Sequence, residues 1–408
     1  MGRRIGMGLV GPGFIAQHHI DAVRRLGDVD VVAIAGSTLA STQRKAEELK
    51  VDRSYATFEE LVNDQSIHVV HNTTPSYLHV PVTLAALHAG KHVITDKPLA
   101  MTAVECAQLR DAAAAAGVIN AVTFNYRGNS MVQEARARIA AGEAGELVSV
   151  HGQYLQDWMT DANVYSWRMD PVKGGVSSAL ADIGSHWCDL AEHVSGLRIV
   201  SVLAELTTVV RTRFAASGSS EAFARSSDAT RTPITVHGED LATVLLRFDN
   251  GARGSLRVGQ VLPGHKNDLQ LELNGRTASL RWQQEQQNEL WIGRHDAANT
   301  IVTKDPALLS AAARPYVHLP AGHQEGWADA FANVIRDIYD VIRSGSASYR
   351  PATLCTFADA TRTACVLGAM LNSAATGGVW TDVVDGSESS GALSSTASTK
   401  GYPQRLNR

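Results

Sequence analysis

The stretch "IGMGLVGPGFIAQHHIDAVRRL", residues 5–26, decides the fold. Residues 5–10 form a short apolar run, and from residue 14 the apolar positions Ile15, Ile20, Val23 and Leu26 fall at helical spacing. Between strand and helix stands Gly11-Pro12-Gly13-Phe14-Ile15-Ala16, a G-x-G-x-x-A turn. Its first glycine permits a tight turn, its second lets main chain approach a pyrophosphate, and Ala16 allows close helix packing. The start of the helix offers unpaired N–H groups and partial positive charge to the phosphates. The context favours a dinucleotide site over a merely structural glycine turn.

Moving outward, the alternation repeats: strand "VDVVAIAGS", helix "LASTQRKAEEL", strand "HVVHNTT", helix "HVPVTLAALHAG", strand "KHVITDK", helix "TAVECAQLRDAAAAAG", strand "INAVTFNY". Strands separated by helices of this length imply βαβ crossovers and a doubly wound parallel sheet, placed at residues 1–125. At the end of the second strand, where an acid would hold a ribose 2′-hydroxyl, the chain offers Gly36-Ser37-Thr38, with Arg44 the nearest cation. NAD and NADP both remain open.

From residue 126 to 384 the texture changes to antiparallel strand candidates, "LVSVHGQYLQD", "DLATVLLRFDNGARGSLRVGQV", "NDLQLELNGRTASLRW" and "NELWIG". Asp249-Asn250-Gly251 and Asn274-Gly275 are hairpin signals. The fold class is therefore α/β, with a second α+β domain built on a large, mostly antiparallel open sheet. Helices are expected on one face only, and a bare apolar face predicts a homo-oligomer, dimer or tetramer. Residues 207–232 read as a flexible excursion, and the Ser/Thr/Gly-rich residues 385–408 as a flexible tail.

Of the 408 residues 44% are hydrophobic and 19% charged, with formal net charge −4. No basic stripe suggests nucleic acid or anionic membrane. The four cysteines Cys106, Cys188, Cys355 and Cys365 form no CxxC pair and read as reduced thiols. The N-terminus enters a strand too soon for a signal peptide and no segment reaches membrane-span length, so a cytoplasmic location is expected.

Two further motifs carry chemistry. Asp96-Lys97-Pro98 ends a parallel strand, and ligands bind beyond the carboxyl ends of such strands. Lys97 there can donate to a substrate hydroxyl or carbonyl oxygen, or else snorkel into solvent. In "ALADIGSHWCDLAEHVSG", Asp182, His186 and Asp189 share one helical face, so their side chains are expected to converge. His186 can take the proton of an alcohol while hydride leaves, and Asp182 can orient the substrate or the imidazole. A metal reading of this trio lacks a Cys/His partner set, and no metal is expected.

The ordered set of G-x-G-x-x-A, "TTPSYLH" at 73–79, Asp96-Lys97-Pro98, Gly174-Gly175 and "ADIGSHWCDLAEHVSG" resembles the Gfo/Idh/MocA family, the glucose-fructose oxidoreductase and inositol dehydrogenase group. The resemblance implies an N-terminal Rossmann domain and NAD(P)-dependent hydride transfer at a secondary hydroxyl or ketone of a sugar, sugar derivative or cyclitol. It puts the family's catalytic lysine on Lys97, its histidine on His186 and the acidic partner on Asp182. Asp96 stands where the family usually has Glu. The alternatives are, among enzymes, a redox-assisted glycoside-processing enzyme that recycles a tightly bound cofactor and, outside enzymes, a dinucleotide sensor without chemistry.

The candidate cofactor contacts are Gly11, Gly13, Phe14, Ile15, Ser37, Thr38, Thr73, Thr74, Pro75, His79, Asp96, Lys97 and Asn125. Tyr126 and Arg127, after the last parallel strand, and Gln156, Asp157, Trp158, Trp167 and Arg168 are the candidate substrate contacts beside Asp182 and His186. Their hydrogen-bonding and aromatic groups suit a polyhydroxylated ring. His323, Gln324 and Glu325 either reach the pocket or cap the next helix.

Overall fold

The computed structural model describes residues 4–216, 231–346 and 348–384. The tail at 385–408 and residues 217–230 of the excursion lie outside the described residues.

The first half folds around a six-stranded parallel sheet of β1 (Ile5–Val10), β2 (Val29–Ala35), β3 (Arg53–Tyr55), β4 (Val69–Asn72), β5 (His92–Thr95) and β6 (Asn120–Val122). Their order is β3-β2-β1-β4-β5-β6. Helices α1 (Phe14–Arg24), α2 (Leu39–Leu49), α3 (Phe58–Asn63), α4 (His79–His88) and α5 (Ala103–Ala116) make the crossovers. β3 and α3 are additions to the sequence reading; at three and six residues they are too short to show a period. The order reverses between β1 and β4, which opens a crevice at the carboxyl ends of these strands.

The second half adds α6 (Ser130–Ala140), β7 (Leu147–Leu155), α7 (Ser185–Ser195), β8 (Ile199–Thr207), β9 (Thr212–Ala216), β10 (Arg231–Thr235), β11 (Leu241–Phe248), β12 (Arg253–Gly259), β13 (Asp268–Gly275), β14 (Ala278–Gln283), β15 (Glu289–Arg294), β16 (Thr300–Thr303), α8 (Trp327–Ser344), α9 (Phe357–Ala375) and β17 (Thr381–Asp382). Nine of these strands form one sheet, ordered β16-β15-β14-β13-β7-β12-β11-β8-β17, antiparallel except for the β7–β12 pair. The excursion at 207–232 is corrected in part: β9 and β10 pair as an antiparallel ribbon, which Arg213 anchors by its ion pair with buried Asp240.

One face of the large sheet carries α6, α7 and α9 over a core that includes Val150, Trp187, Val244, Leu256, Leu271 and Met370. The other face is mixed in character, where the sequence suggested an apolar one. A row across it, by strand register, reads Leu203, Leu245, Ser255, His151, Glu272, Arg281, Trp291 and Ile301. Strand alternation explains it, since every second residue here is free to be polar.

Helix α8 returns to the parallel sheet. Phe331, Val334, Ile335, Ile338 and Tyr339 fall on one helical face and join Met7, Leu9, Ile20 and Ile34 in one core. Gly128 permits the approach, because a Cβ there would lie 2.0 Å from the carbonyl oxygen of Ala330. All four cysteines are buried and none forms a disulfide.

Candidate active site

A cleft of about 1250 Å³ runs from the carboxyl edge of the parallel sheet to the inner end of the large sheet. It exceeds the roughly 300–1,000 Å³ of a site for one small ligand, so it has room for a dinucleotide and a second molecule.

Its outer end is made largely of main chain. Gly11 adopts φ +92°, and a Cβ there would lie 2.7 Å from the backbone of Thr74, so the turn after β1 closes against the turn after β4. Thr73 ties the same turns by donating its hydroxyl to the carbonyls of Val10 and Gly11. A Cβ on Gly13 would meet nothing within 4 Å, so this face of the turn is open. No acidic side chain occupies the first turn of α1. At the inner limit of this region the buried Nδ2 of Asn125 has no hydrogen-bond partner among the described residues. An open glycine turn at a helix start and a buried amide donor fit a dinucleotide, with phosphates at the first and an acceptor at the second.

Of the expected cofactor contacts, Gly11, Gly13, Phe14, Ile15, Ser37, Thr73, Thr74, Pro75, His79, Asp96, Lys97 and Asn125 all line the cleft. Thr38 does not: its hydroxyl caps α2 by accepting from the Ser41 N–H. The His79 ring lies between the carbonyls of Thr74 (2.8 Å) and Pro98 (2.7 Å), where it joins two lining loops. Asp96 accepts from the Thr123 hydroxyl at 2.9 Å. The Lys97–Pro98 peptide is cis.

The inner end is made of side chains from distant segments. Lys97 donates from Nζ to the main-chain carbonyl of Asp182 (2.7 Å) and to its Oδ1 (2.8 Å). Arg168 reaches the same carboxylate through Nε at 3.2 Å, and the Gln260 amide donates to Oδ2 at 2.8 Å. Burial alone would raise the Asp182 carboxyl, but the charges of Lys97 and Arg168 and these hydrogen bonds outweigh it and hold it well below the usual carboxylate range. Asp182 thus stays ionised with two cations around it.

His186 lies one turn further on, edge-on to the rings of Phe124 and Tyr126. Burial, then the nearby charge of Lys97, push its pKa well below the ordinary imidazole value, against the weaker opposing pull of Asp182. Its ring is therefore neutral near pH 7.

The local fold differs from a regular helix here. Residues Leu180–Gly184 form a π-helical turn leading into α7. Glu239 holds the entry, accepting from the Ser177 hydroxyl and the N–H groups of Ser178 and Leu180. Asp182 and His186 still face the cleft, but Asp189, expected to converge with them, is turned to Arg127 in a buried bidentate pair. That pair also corrects Arg127, which donates to the Leu354 carbonyl instead of lining the cleft.

The remaining substrate candidates Tyr126, Gln156, Asp157, Trp158, Trp167 and Arg168 all line the inner end. The face of Trp167 is covered by the Arg168 guanidinium, 4.7 Å from the ring centre, so this ring does not present that face to a sugar. Nη1 of Arg168 is buried with no hydrogen-bond partner among the described residues. Glu325 pairs with buried Lys304, and α8 is capped by Asp329, so the "HQE" segment neither reaches the cleft nor caps that helix.

The sequence reading missed Tyr154, Gln260, Lys266 and Asn267. The Tyr126 and Tyr154 hydroxyls lie 2.6 Å apart, and Asn267 bonds both, accepting from Tyr154 and donating to Tyr126. Lys266 pairs with Asp157 on the rim. Strand register, with β7 between β13 and β12, brings these together, and no local motif reports it.

Two family models match the chain. A model described as "Oxidoreductase family, NAD-binding Rossmann fold" matches residues 5–124, and a GFO/IDH/MocA C-terminal domain model matches residues 132–281. Levoglucosan dehydrogenase of Pseudarthrobacter phenanthrenivorans is 32% identical over 303 residues, 71% of this chain and 76% of that protein. A solved levoglucosan dehydrogenase in complex with NADH and L-sorbose superposes with TM-score 0.83 at 28% identity, covering 94% of this chain and 99% of that one. An inositol dehydrogenase homologue from Azotobacter vinelandii, complexed with NAD+, superposes with TM-score 0.81 at 26% identity, covering 94% and 98%.

Proposed function

The chain belongs to the GFO/IDH/MocA family of NAD-binding oxidoreductases, and we propose that Lys97, His186 and Asp182 carry its chemistry at a secondary hydroxyl of a sugar ring, anhydro-sugar or cyclitol. The protein is an NAD-dependent oxidoreductase of sugar-type hydroxyls. The observation that carries the residue assignment is the Lys97–Asp182 pair standing beside a neutral, buried His186 in the cleft that also holds the glycine turn.

When bound, the nicotinamide supplies the hydride acceptor for oxidation and the donor for reduction. Gly11, Gly13 and the start of α1 hold the pyrophosphate, with Asn125 and Asp96 at the inner part of the cofactor path. Lys97 donates a hydrogen bond to the reacting oxygen and stabilises the negative charge that develops there during oxidation. A ring nitrogen of His186 takes the hydroxyl proton, a role open to it because the imidazole is neutral. Asp182 holds Lys97 by two acceptors at once, and so fixes where the ammonium points. Gln156, Arg168 and the Tyr126–Tyr154–Asn267 group supply donors and acceptors for the other ring hydroxyls.

Homo-oligomerisation through the helix-free face of the large sheet is a second part of the proposal. Leu245 and Ile301 are exposed on that face and Arg281 lies over Trp291 there, a mixed surface of the kind subunit contacts use. Light scattering that gives only the monomer mass at micromolar concentration would remove it.

The test is a panel of monosaccharides, anhydro-sugars including levoglucosan, and inositols, monitored by nicotinamide absorbance with the native chain and with His186→Ala. Turnover of at least one member by the native chain, lost in the variant, is expected. A variant that turns over like the native chain would contradict the assignment.

A further inference from the structure

We propose that Arg213, on the β9–β10 ribbon, is a positioning residue for substrate selection: with Asp240 it holds the segment that carries Trp158, Trp167 and Arg168, and so sets which sugar ring the inner end of the cleft admits. The inference rests on the sugar reading of that end.

From Asp157 to Ser166 the chain has neither helix nor strand, yet this loop and the turn after it supply Asp157, Trp158, Trp167 and Arg168 to the cleft wall. Its apolar footing is small: Met159 and Met169 are buried with Val236, which follows β10. The path of the loop is therefore set by hydrogen bonds, and the ribbon provides them. Nη1 of Arg213 donates to the carbonyls of Asp161 (3.1 Å) and Val164 (3.2 Å), and the Phe214 N–H donates to that of Ala162 (2.9 Å). Thr212 and Phe214 face outward while Arg213 is wholly buried, as strand alternation requires.

Asp240 closes the arrangement. It pairs with Nη2 of Arg213 at 3.1 Å and accepts from the N–H groups of Val209 and Val210, both at 2.8 Å. Its neighbour Glu239 holds the entry to the π-helical turn of Asp182, and the Asp240 carbonyl accepts from the N–H of Gln260, whose side-chain amide bonds Asp182. Adjacent residues thus fix the substrate loop and the reacting end relative to each other. A buried ion pair adds little net stability once desolvation is counted, whereas a planar guanidinium that meets a carboxylate and two carbonyls at once fixes their spacing. Geometry is what this pair contributes.

The test compares the native chain with Arg213→Met/Asp240→Asn, which leaves no unpaired buried charge and keeps an acceptor for the Val209 and Val210 N–H groups, and with Arg213→Lys, which keeps the ion pair and loses the fork. All three are run over the sugar panel, with NADH Kd and urea midpoint measured beside it. In the double variant KM for the best sugar is expected to rise by about tenfold, with kcat and NADH Kd within about threefold, and Arg213→Lys is expected to fall between. An unchanged KM in the folded double variant, whatever its urea midpoint, or a loss that falls on kcat or NADH Kd instead of KM, means a structural role only and overturns the inference. If the double variant does not fold, Arg213→Lys decides: a KM raised by about threefold or more supports the inference and a smaller change overturns it. A native chain that turns over no sugar of the panel overturns the sugar reading and the inference with it.

Discussion

The two ends of the cleft are built by opposite means. At the cofactor end, the short turns after β1, β4 and β5 do the work, and their shape comes from main chain: Gly11 in the left-handed region, Gly13 without a side chain, Thr73 bonded to the carbonyls of the neighbouring turn. At the substrate end most contacts are long-range. Asp182 alone gathers Lys97, Arg168 and Gln260, from three separate stretches of chain, and Tyr126 meets Tyr154 and Asn267, both distant from it in sequence. On the proposed function, the first end meets what every dinucleotide shares, and the second meets the part that differs from one sugar to another. A generic site can be fixed by backbone, whereas a selective one needs side chains that long-range packing assembles.

Damage at the two ends should therefore separate. The largest effect belongs to the substrate end: Lys97→Ala lowers kcat by about 10³, within the range of general acid–base and hydrogen-bonding contributions, and leaves NADH Kd within about threefold. Steady-state kinetics beside a fluorescence titration measures both, and a loss that appears mainly in NADH affinity would break the separation. Next, Gly13→Val puts methyl groups where a Cβ meets only open cleft, so folding survives while NADH binding weakens by about a hundredfold. An unchanged NADH Kd in a folded variant would move the cofactor elsewhere.

A smaller change tests positioning within the substrate end. Gln260→Leu removes one donor to the buried Asp182 carboxylate and is expected to lower kcat by about tenfold, since a hydrogen bond to a charged group contributes about 1.5–3 kcal/mol. Gln260→Glu, which adds a second negative charge beside Asp182, is expected to do worse; equal activity in both variants would show that Gln260 only fills space.

The smallest effect on turnover, read instead as stability, comes from behind the cofactor end. His19 and His71 meet there through their Nδ1 atoms at 2.9 Å, and His71 Nε2 reaches the Tyr339 hydroxyl on α8 at 3.0 Å. Burial lowers both histidines, His19 to about 4. A histidine whose folded pKa lies below its unfolded value binds more protons unfolded, so its stability is whole above about pH 6.5 and is lost as pH falls toward about 4. The loss at His19 alone is on the order of 3 kcal/mol. Urea midpoints should therefore fall between about pH 7 and about pH 4.5, and His19→Gln should flatten that slope. Equal native midpoints at the two pH values would contradict it.

The same asymmetry explains what the sequence revealed. The parallel sheet was legible because each strand, turn and helix signal lies within one stretch, as at residues 5–26, and α2 runs from Leu39 to Leu49 as the pattern implies. β3 escaped notice because three residues show no alternation. Helix α8 displays an apolar face in its spacing, yet nothing local says that the face belongs against β1 and α1 instead of the nearer sheet. Arg127 shows the limit most clearly. Its place after β6 suggested the cleft, but Asp189 lies buried away from the cleft, and a buried arginine goes with its counter-charge.

A crystal structure of the chain with NADH and a turned-over sugar tests the central claim most directly. The expected result is one ring oxygen substituent within about 3.2 Å of both Lys97 Nζ and a His186 ring nitrogen, with the pyrophosphate at the Gly11–Gly13 turn. A sugar whose hydroxyls touch neither group, or a dinucleotide bound away from that turn, would contradict it.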